Sequence, residues 1–396
     1  MRLASFPHGA LIASLVALAV SLAPAARAQS IADAADEAAP EDDLGEIAHP
    51  VDPPPSLTFR TWHWDKTAMY GGPSNAVVAI PNHLPAGVRL PLVVLLPGGH
   101  HNMQGPEHGH WGWWSEYGLG DIESVLRRGV VTERDLQFLS RKEDLEHFNR
   151  LLEITPYQGA IIITPWVVGR QLDPRENGAM VADFLREVVR RAREELPVIP
   201  SRDATGVGGM SSGGLWALYS GSACSDLFGS IVATQPFTED LVEYLRQQIV
   251  SRKQAQRIRM VTSFDDHQRA STLALSSALR TEGIDHELSE YVGPHSAGFA
   301  AGPGGIDAMF TFDRWLRGEL MDGTRPLPAR DGTMAMPAFA PDRAHFAEAP
   351  VGQPLGWHVS IPSPSQHRRA LGIVGGAVSL LLIAGLWRAR RSARMS

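Results

Sequence analysis

A single cysteine, Cys224, stands among 396 residues, so the chain can form no intramolecular disulfide. The expected place of that thiol is a small buried apolar site. There is no extended basic face and no RNA-binding motif, and the formal net charge is -7, so no nucleic-acid partner is expected. No internal repeat is present. Residues 29–56 contain neither Lys nor Arg, but carry eight acidic residues and the run Pro53-Pro54-Pro55. Such a stretch has too little apolar surface to build a core and is expected to be a disordered, extended spacer. What remains is long enough for one large domain or two ordinary ones.

Both ends carry long uncharged runs. Arg2, the apolar stretch Ala10–Leu22 and the small-x-small triplet Ala26-Arg27-Ala28 have the form of an export signal over residues 1–28. At the other end, Leu371–Trp387 contains no charge and is followed by Arg388, Arg390, Arg391 and Arg394. A transmembrane helix over 370–387 is expected, with the basic tail 388–396 on the cytoplasmic side. Arg368 and Arg369 on the opposite flank reduce the charge asymmetry. The Pro- and Ala-rich stretch 321–369 reads as a linker. The arrangement resembles bacterial C-terminal sorting tails, which implies that the helix can be removed during surface display. The expected location is therefore periplasmic or cell-surface, with the membrane as a partner through the C-terminal helix.

Between these ends, strand and helix patterns alternate. Strand signals lie at 57–64, 76–80, 90–96, 160–165, 204–208, 230–234, 257–263 and 286–291. The runs 90–96 and 160–164 are continuously apolar, as in strands covered on both faces. Val181, Phe184, Leu185, Val188, Val189 and Ala192 define one face of a helix over 181–196. Further helices are expected near 135–153, 239–252, 268–281 and 306–317. The pattern predicts an α/β domain over 57–320, with a mostly parallel central sheet and helices on both faces.

The most informative stretch is Gly209-Met210-Ser211-Ser212-Gly213, a G-x-S-x-G sequence between a strand signal and a helix signal. A serine on such a turn projects its hydroxyl above the sheet edge. That hydroxyl needs a base, and the base needs an acid to orient it. Downstream, Asp265-Asp266 ends one strand signal and Gly293-Pro294-His295 follows the last. His295 is the expected base. Asp266 is the expected acid and Asp265 the alternative, with helix capping as the competing role for either. The amide of Ser212 is one expected oxyanion donor, and the loop Pro97-Gly98-Gly99-His100 supplies another at Gly99 or His100.

Trp111, Trp113 and Trp114 are candidates to line a substrate pocket, with plain packing as the competing role. Residues 121–153 have the position of a flap over the site. His108 and His110, with His100 and His101, have metal-ligand spacing, but no thiol and no clear carboxylate stands beside them, so no metal is expected.

The segment from Asp203 through Ser211 to Leu218, together with Asp226-Leu-Phe-Gly-Ser-Ile-Val-Ala, resembles the α/β-hydrolase superfamily. Within it, the similarity is greatest to the esterase group that includes enterochelin esterases, S-formylglutathione hydrolase and feruloyl esterases. The resemblance implies the α/β-hydrolase fold, Ser211 as nucleophile, His295 as base and Asp266 as acid. It departs from the group at Pro97-Gly98, where His-Gly is usual, and around Ser263, where a glycine is usual. The implied activity is cleavage of a small-molecule or polymer ester through an acyl-enzyme, with no cofactor. Acyl transfer on the same triad is an alternative, a peptidase a more remote one. An inactive hydrolase domain used for surface binding is the alternative outside enzymes.

Overall fold

The computed structural model describes residues 47–321, apart from residues 70, 83 and 168–173. One eight-stranded sheet runs through this region in the order β1-β2-β4-β3-β5-β6-β7-β8. Its strands are β1 Leu57–Trp64, β2 Ser74–Pro81, β3 Leu92–Leu96, β4 Ile161–Pro165, β5 Thr205–Met210, β6 Ser230–Thr234, β7 Arg257–Asp265 and β8 Glu287–Pro294. β2 is antiparallel to both β1 and β4, and all other pairs are parallel. This is a mostly parallel, α/β-hydrolase-like sheet, and all eight strand signals fall on its strands.

Side chains of successive strand residues point to opposite faces. Leu92, Val94, Ile161, Ile163 and Val207 therefore enter one apolar cluster. Val93, Leu95, Ile162 and Val232 enter the other. Both faces are covered, which is why these strands are apolar throughout.

The first face is covered by α5 (Pro174–Glu195), α6 (Ser212–Ala223), α7 (Val242–Val250) and α8 (Arg269–Thr281). The whole Val181–Ala192 stripe is buried there. The second face is covered by α3 (Leu119–Arg128), α4 (Lys142–Ile154) and α10 (Pro303–Trp315). Shorter helices are α1 (Gly99–Met103), α2 (Gly112–Ser115) and α9 (Ala297–Ala301), with a 3-10 turn at Gly109–Trp111.

Two expectations are corrected here. The two helices of the segment 121–153 are not a flap. Ile122, Leu126, Phe148, Leu151 and Leu152 are buried in the second cluster, so α3 and α4 belong to the layer that covers the sheet. The spacer expected to be disordered up to Ser56 is anchored to the domain at points within its described part, although most of residues 47–56 are exposed. Ala48 is buried and its amide donates to Gln104 Oε1 at 2.9 Å, while Val51 packs on the second cluster. The apolar residues among the acids and prolines supply that contact. The export signal 1–28, the spacer up to residue 46, the linker from 322, the membrane helix 370–387 and the basic tail 388–396 lie outside the described residues. No helix among the described residues is long and apolar enough to cross a membrane.

Candidate active site

The carboxyl ends of β3, β5, β7 and β8 bring together the loops on which the chemistry depends, as in other α/β sheets. β5 ends at Met210, α6 starts at Ser212, and Ser211 joins them with φ 55° and ψ -118°. A non-glycine residue in that region carries roughly 1–3 kcal/mol of strain unless its surroundings hold it there. Here they do. The Ser211 amide donates to the Thr234 carbonyl at 3.0 Å, and its carbonyl accepts from Phe237 at 3.0 Å and Leu215 at 3.1 Å. The glycines at both ends of the pattern are steric requirements. A Cβ on Gly209 would lie 2.3 Å from the Gly213 backbone, and one on Gly213 would lie 2.2 Å from the Leu96 carbonyl oxygen.

The elbow aims Ser211 at the loop after β8. His295 Nε2 is 2.9 Å from Ser211 Oγ, and His295 Nδ1 is 2.9 Å from Asp266 Oδ1. Asp266 is buried and also accepts from the Gln268 amide at 2.9 Å and the Thr262 hydroxyl at 2.8 Å. Burial alone raises a carboxyl pKa. Here the bonds from His295, Gln268 and Thr262 and the charge of a protonated His295 outweigh it, so the Asp266 pKa falls below the usual carboxylate value. Asp266 thus joins two roles that the sequence left as alternatives: it orients His295 and holds the amide of Gln268 at the start of α8. Asp265 ends β7 at a bulge, with its side chain exposed, and is not bonded to His295.

Two helix starts flank Ser211. Ser212 opens α6, and Gly99 and His100 open α1, so their amides belong to first turns whose N–H groups have no intrahelical acceptor. The two turns touch. A Cβ on Gly99 would lie 3.3 Å from Ser212 Oγ, and one on Gly98 would lie 3.7 Å from Ser211 Cβ. Asn102 Nδ2 donates to Ser212 Oγ at 3.2 Å and locks α1 to α6. The geometry suits stabilisation of the oxyanion that develops on the carbonyl oxygen of an acyl group attacked by Ser211.

The tryptophans take the packing role, inside the core. Trp111, Trp113 and Trp114 are buried. Trp113 Nε1 donates to the Leu96 carbonyl at 3.0 Å and Trp114 Nε1 to Thr164 Oγ1 at 3.0 Å. An indole supplies large apolar area and one donor, and both are spent on the floor beneath the β3 loop.

The histidines divide in the same region. His110 is buried, and burial lowers its pKa to about 4; His108 is exposed. His100 and His101 meet Glu116, the carboxylate that the sequence did not reveal. Glu116 Oε2 lies 3.1 Å from His101 Nε2, but off the hydrogen-bonding direction. Burial, with His100 adding to it, lowers the His101 pKa to about 3, so the contact is not an ion pair.

Sequence reasoning also missed Gln235. It is fully buried with φ 40°, and its Nε2 donates to Ser263 Oγ at 2.6 Å and to the Pro294 carbonyl at 3.0 Å. One amide therefore ties the end of β7, which leads to Asp266, to the residue before His295. Only its place at the end of β6, across from both loops, reveals it. His267 lies beside His295, with ring centroids 4.5 Å apart and the ring planes tilted by 50°.

No family model matches the chain, and neither does any curated protein. Among solved structures, S-formylglutathione hydrolase from Staphylococcus aureus is 16% identical, covers 66% of this chain and 99% of its own, and has a TM-score of 0.41. The ferulic acid esterase of Anaeromyces mucronatus, in complex with ferulic acid, is 17% identical over 68% of this chain and 94% of its own, with a TM-score of 0.42. The enterobactin esterase of Shigella flexneri is 16% identical over 66% of this chain and 60% of its own, with a TM-score of 0.45. All three fall in the esterase group that the elbow sequence resembles. Likenesses this distant concern the fold and decide nothing about the reaction.

Proposed function

We propose that the chain is a serine hydrolase that cleaves carboxylic esters through an acyl-enzyme on Ser211. The observation that carries this reading is the unbroken relay from Asp266 through His295 to Ser211 Oγ, on a strained elbow between two helix starts. His295 Nε2 takes the hydroxyl proton as Ser211 attacks the acyl carbon, while Asp266 holds the imidazole and balances its charge. The amides of Ser212 and of Gly99 or His100 take the oxyanion. His295 then protonates the departing alkoxide and activates the water that releases the acid. A serine held ready in this way reacts with a fluorophosphonate. Wild type is expected to label and Ser211→Ala to stay unlabelled; a folded wild type that does not label would sink the proposal.

The reading extends to location. The export signal over 1–28 and the apolar run 370–387 support a protein sent out of the cytoplasm and held by its C-terminal helix. The substrate would then be an ester met outside the cytoplasm. Fractionation of cells with an antibody to the hydrolase domain tests this. Recovery of full-length protein in the soluble cytoplasm counts against it.

A further inference from the structure

We propose that His100, His101 and Glu116 form a binding site for a divalent zinc-type ion that fixes the β3 loop beside Ser211. The three residues come from α1 and the end of α2, and their ligand atoms lie within 4.8 Å of one another. Glu116 Oε2 is 3.1 Å from His101 Nε2 and 3.9 Å from His100 Nε2. Tetrahedral zinc with ligands at ~2.0–2.2 Å places donors ~3.3–3.6 Å apart, so the observed pair spacings bracket the required one. Two imidazoles and one carboxylate suit zinc and its neighbours far better than calcium or magnesium.

His101 is the strongest pointer. It is completely buried, and neither ring nitrogen has a hydrogen-bond partner. Buried polar groups are almost always satisfied, and an orphaned imidazole calls for a ligand. The fold makes room for the ring at a definite cost, because a Cβ on Gly112 would lie 1.9 Å from His101 Cδ2. The Glu116 oxygen approaches Nε2 away from the N–H axis, as a carboxylate does when an ion shared by both atoms occupies that axis.

His100 presents the right tautomer. The Ala48 amide donates to Gln104 Oε1 at 2.9 Å, so the Gln104 nitrogen faces His100 Nε2, at 2.7 Å. An amide nitrogen only donates, so His100 Nε2 carries the lone pair that a metal needs. Capture of the ion replaces Gln104 as the partner of that lone pair. The His100 and Glu116 side chains are 23% and 33% exposed, which leaves an entry path for the ion from solvent. His100 also contributes an amide to the turn facing Ser211, so an ion on its side chain would stiffen that turn.

Asp266, His267 and His295 form a rival group of donors. An ion there would break the relay, since His295 uses one ring nitrogen for Ser211 and the other for Asp266, which is held by Gln268 and Thr262.

The test is calorimetric titration of zinc chloride into full-length, untagged, chelator-treated protein, with thermal melting in parallel. It does not depend on the esterase reading, because binding is measured without substrate. Wild type is expected to bind one ion and to melt at a higher temperature with zinc. His100→Ala and Glu116→Gln change partly exposed residues and are each expected to weaken binding by more than ~100-fold, the upper range for loss of a mere supporting contact. His267→Ala is expected to bind as wild type does. Absence of zinc binding by wild type, binding that survives both His100→Ala and Glu116→Gln, or binding lost in His267→Ala would each overturn the proposal.

Discussion

Replacing Asp266 by Asn separates the charge of the acid from its geometry. In wild type, Asp266 Oδ1 accepts from both His295 Nδ1 and the Gln268 amide, and Oδ2 accepts from Thr262. The Gln268 N–H can only donate, so the amide oxygen of an Asn must stay where Oδ1 was. The Asn nitrogen then faces the Thr262 hydroxyl, which can rotate to accept. His295 therefore keeps its tautomer and orientation, and what disappears is the negative charge opposite the imidazolium formed in the transition state. Two unit charges about 4 Å apart interact by ~4 kcal/mol at an effective dielectric near 20. That corresponds to ~10³-fold in kcat. A flipped amide would also leave the wrong tautomer, and the loss would approach ~10⁴-fold. Asp265→Asn, which touches neither His295 nor Ser211, should stay within ~2-fold of wild type. Initial rates on a short-chain nitrophenyl ester, with circular dichroism to verify folding, measure all three proteins. Equal losses for Asp265→Asn and Asp266→Asn, or an Asp266→Asn enzyme with more than a tenth of wild-type kcat, would refute the assignment of the acid.

Two further outcomes follow from the same contacts. Gln235→Met removes the donor shared by Ser263 and the Pro294 carbonyl, and the misplaced base should lower kcat by ~10-fold or more with KM nearly unchanged; a fall in melting temperature with no change in kcat would make the residue purely structural. The depressed pKa of Asp266 sets a pH dependence of stability. A carboxyl with a lowered folded pKa stabilises the fold fully above its unfolded value of ~3.9 and loses that contribution as pH falls through the folded value. The stability difference between wild type and Asp266→Asn in urea denaturation should therefore be largest near neutral pH and shrink below pH ~4; a difference that widens in acid contradicts the sign.

The parts of this molecule that can be read from sequence are those set by neighbouring residues. Strands such as Ile161–Pro165 are visible because burial on both faces demands an unbroken apolar run, and the α5 stripe is visible because one face of a helix recurs at a fixed period. The elbow is visible for a similar reason: Gly209 and Gly213 must be small for local steric causes, and both lie within two residues of Ser211. Asp266 and His295 are readable because each directly follows a strand, although nothing local separates Asp266 from Asp265; the Gln268 and Thr262 contacts that seat one of them form only when β7 turns into α8. Gln235 and Glu116 lack such signals. Gln235 acts between residues 28 and 59 positions away, and Glu116 meets His100 and His101 only because the chain folds back through Gly112 and the tryptophans. The tryptophans illustrate the converse. Their clustering next to a glycine-rich loop suggests a binding wall, but a Trp-rich segment can equally pack as core, and here all three are buried. Trp113 donates to the carbonyl of Leu96, the last residue of β3 before the loop that carries Gly98 and Gly99. The aromatic segment therefore fixes where β3 ends and where that loop begins.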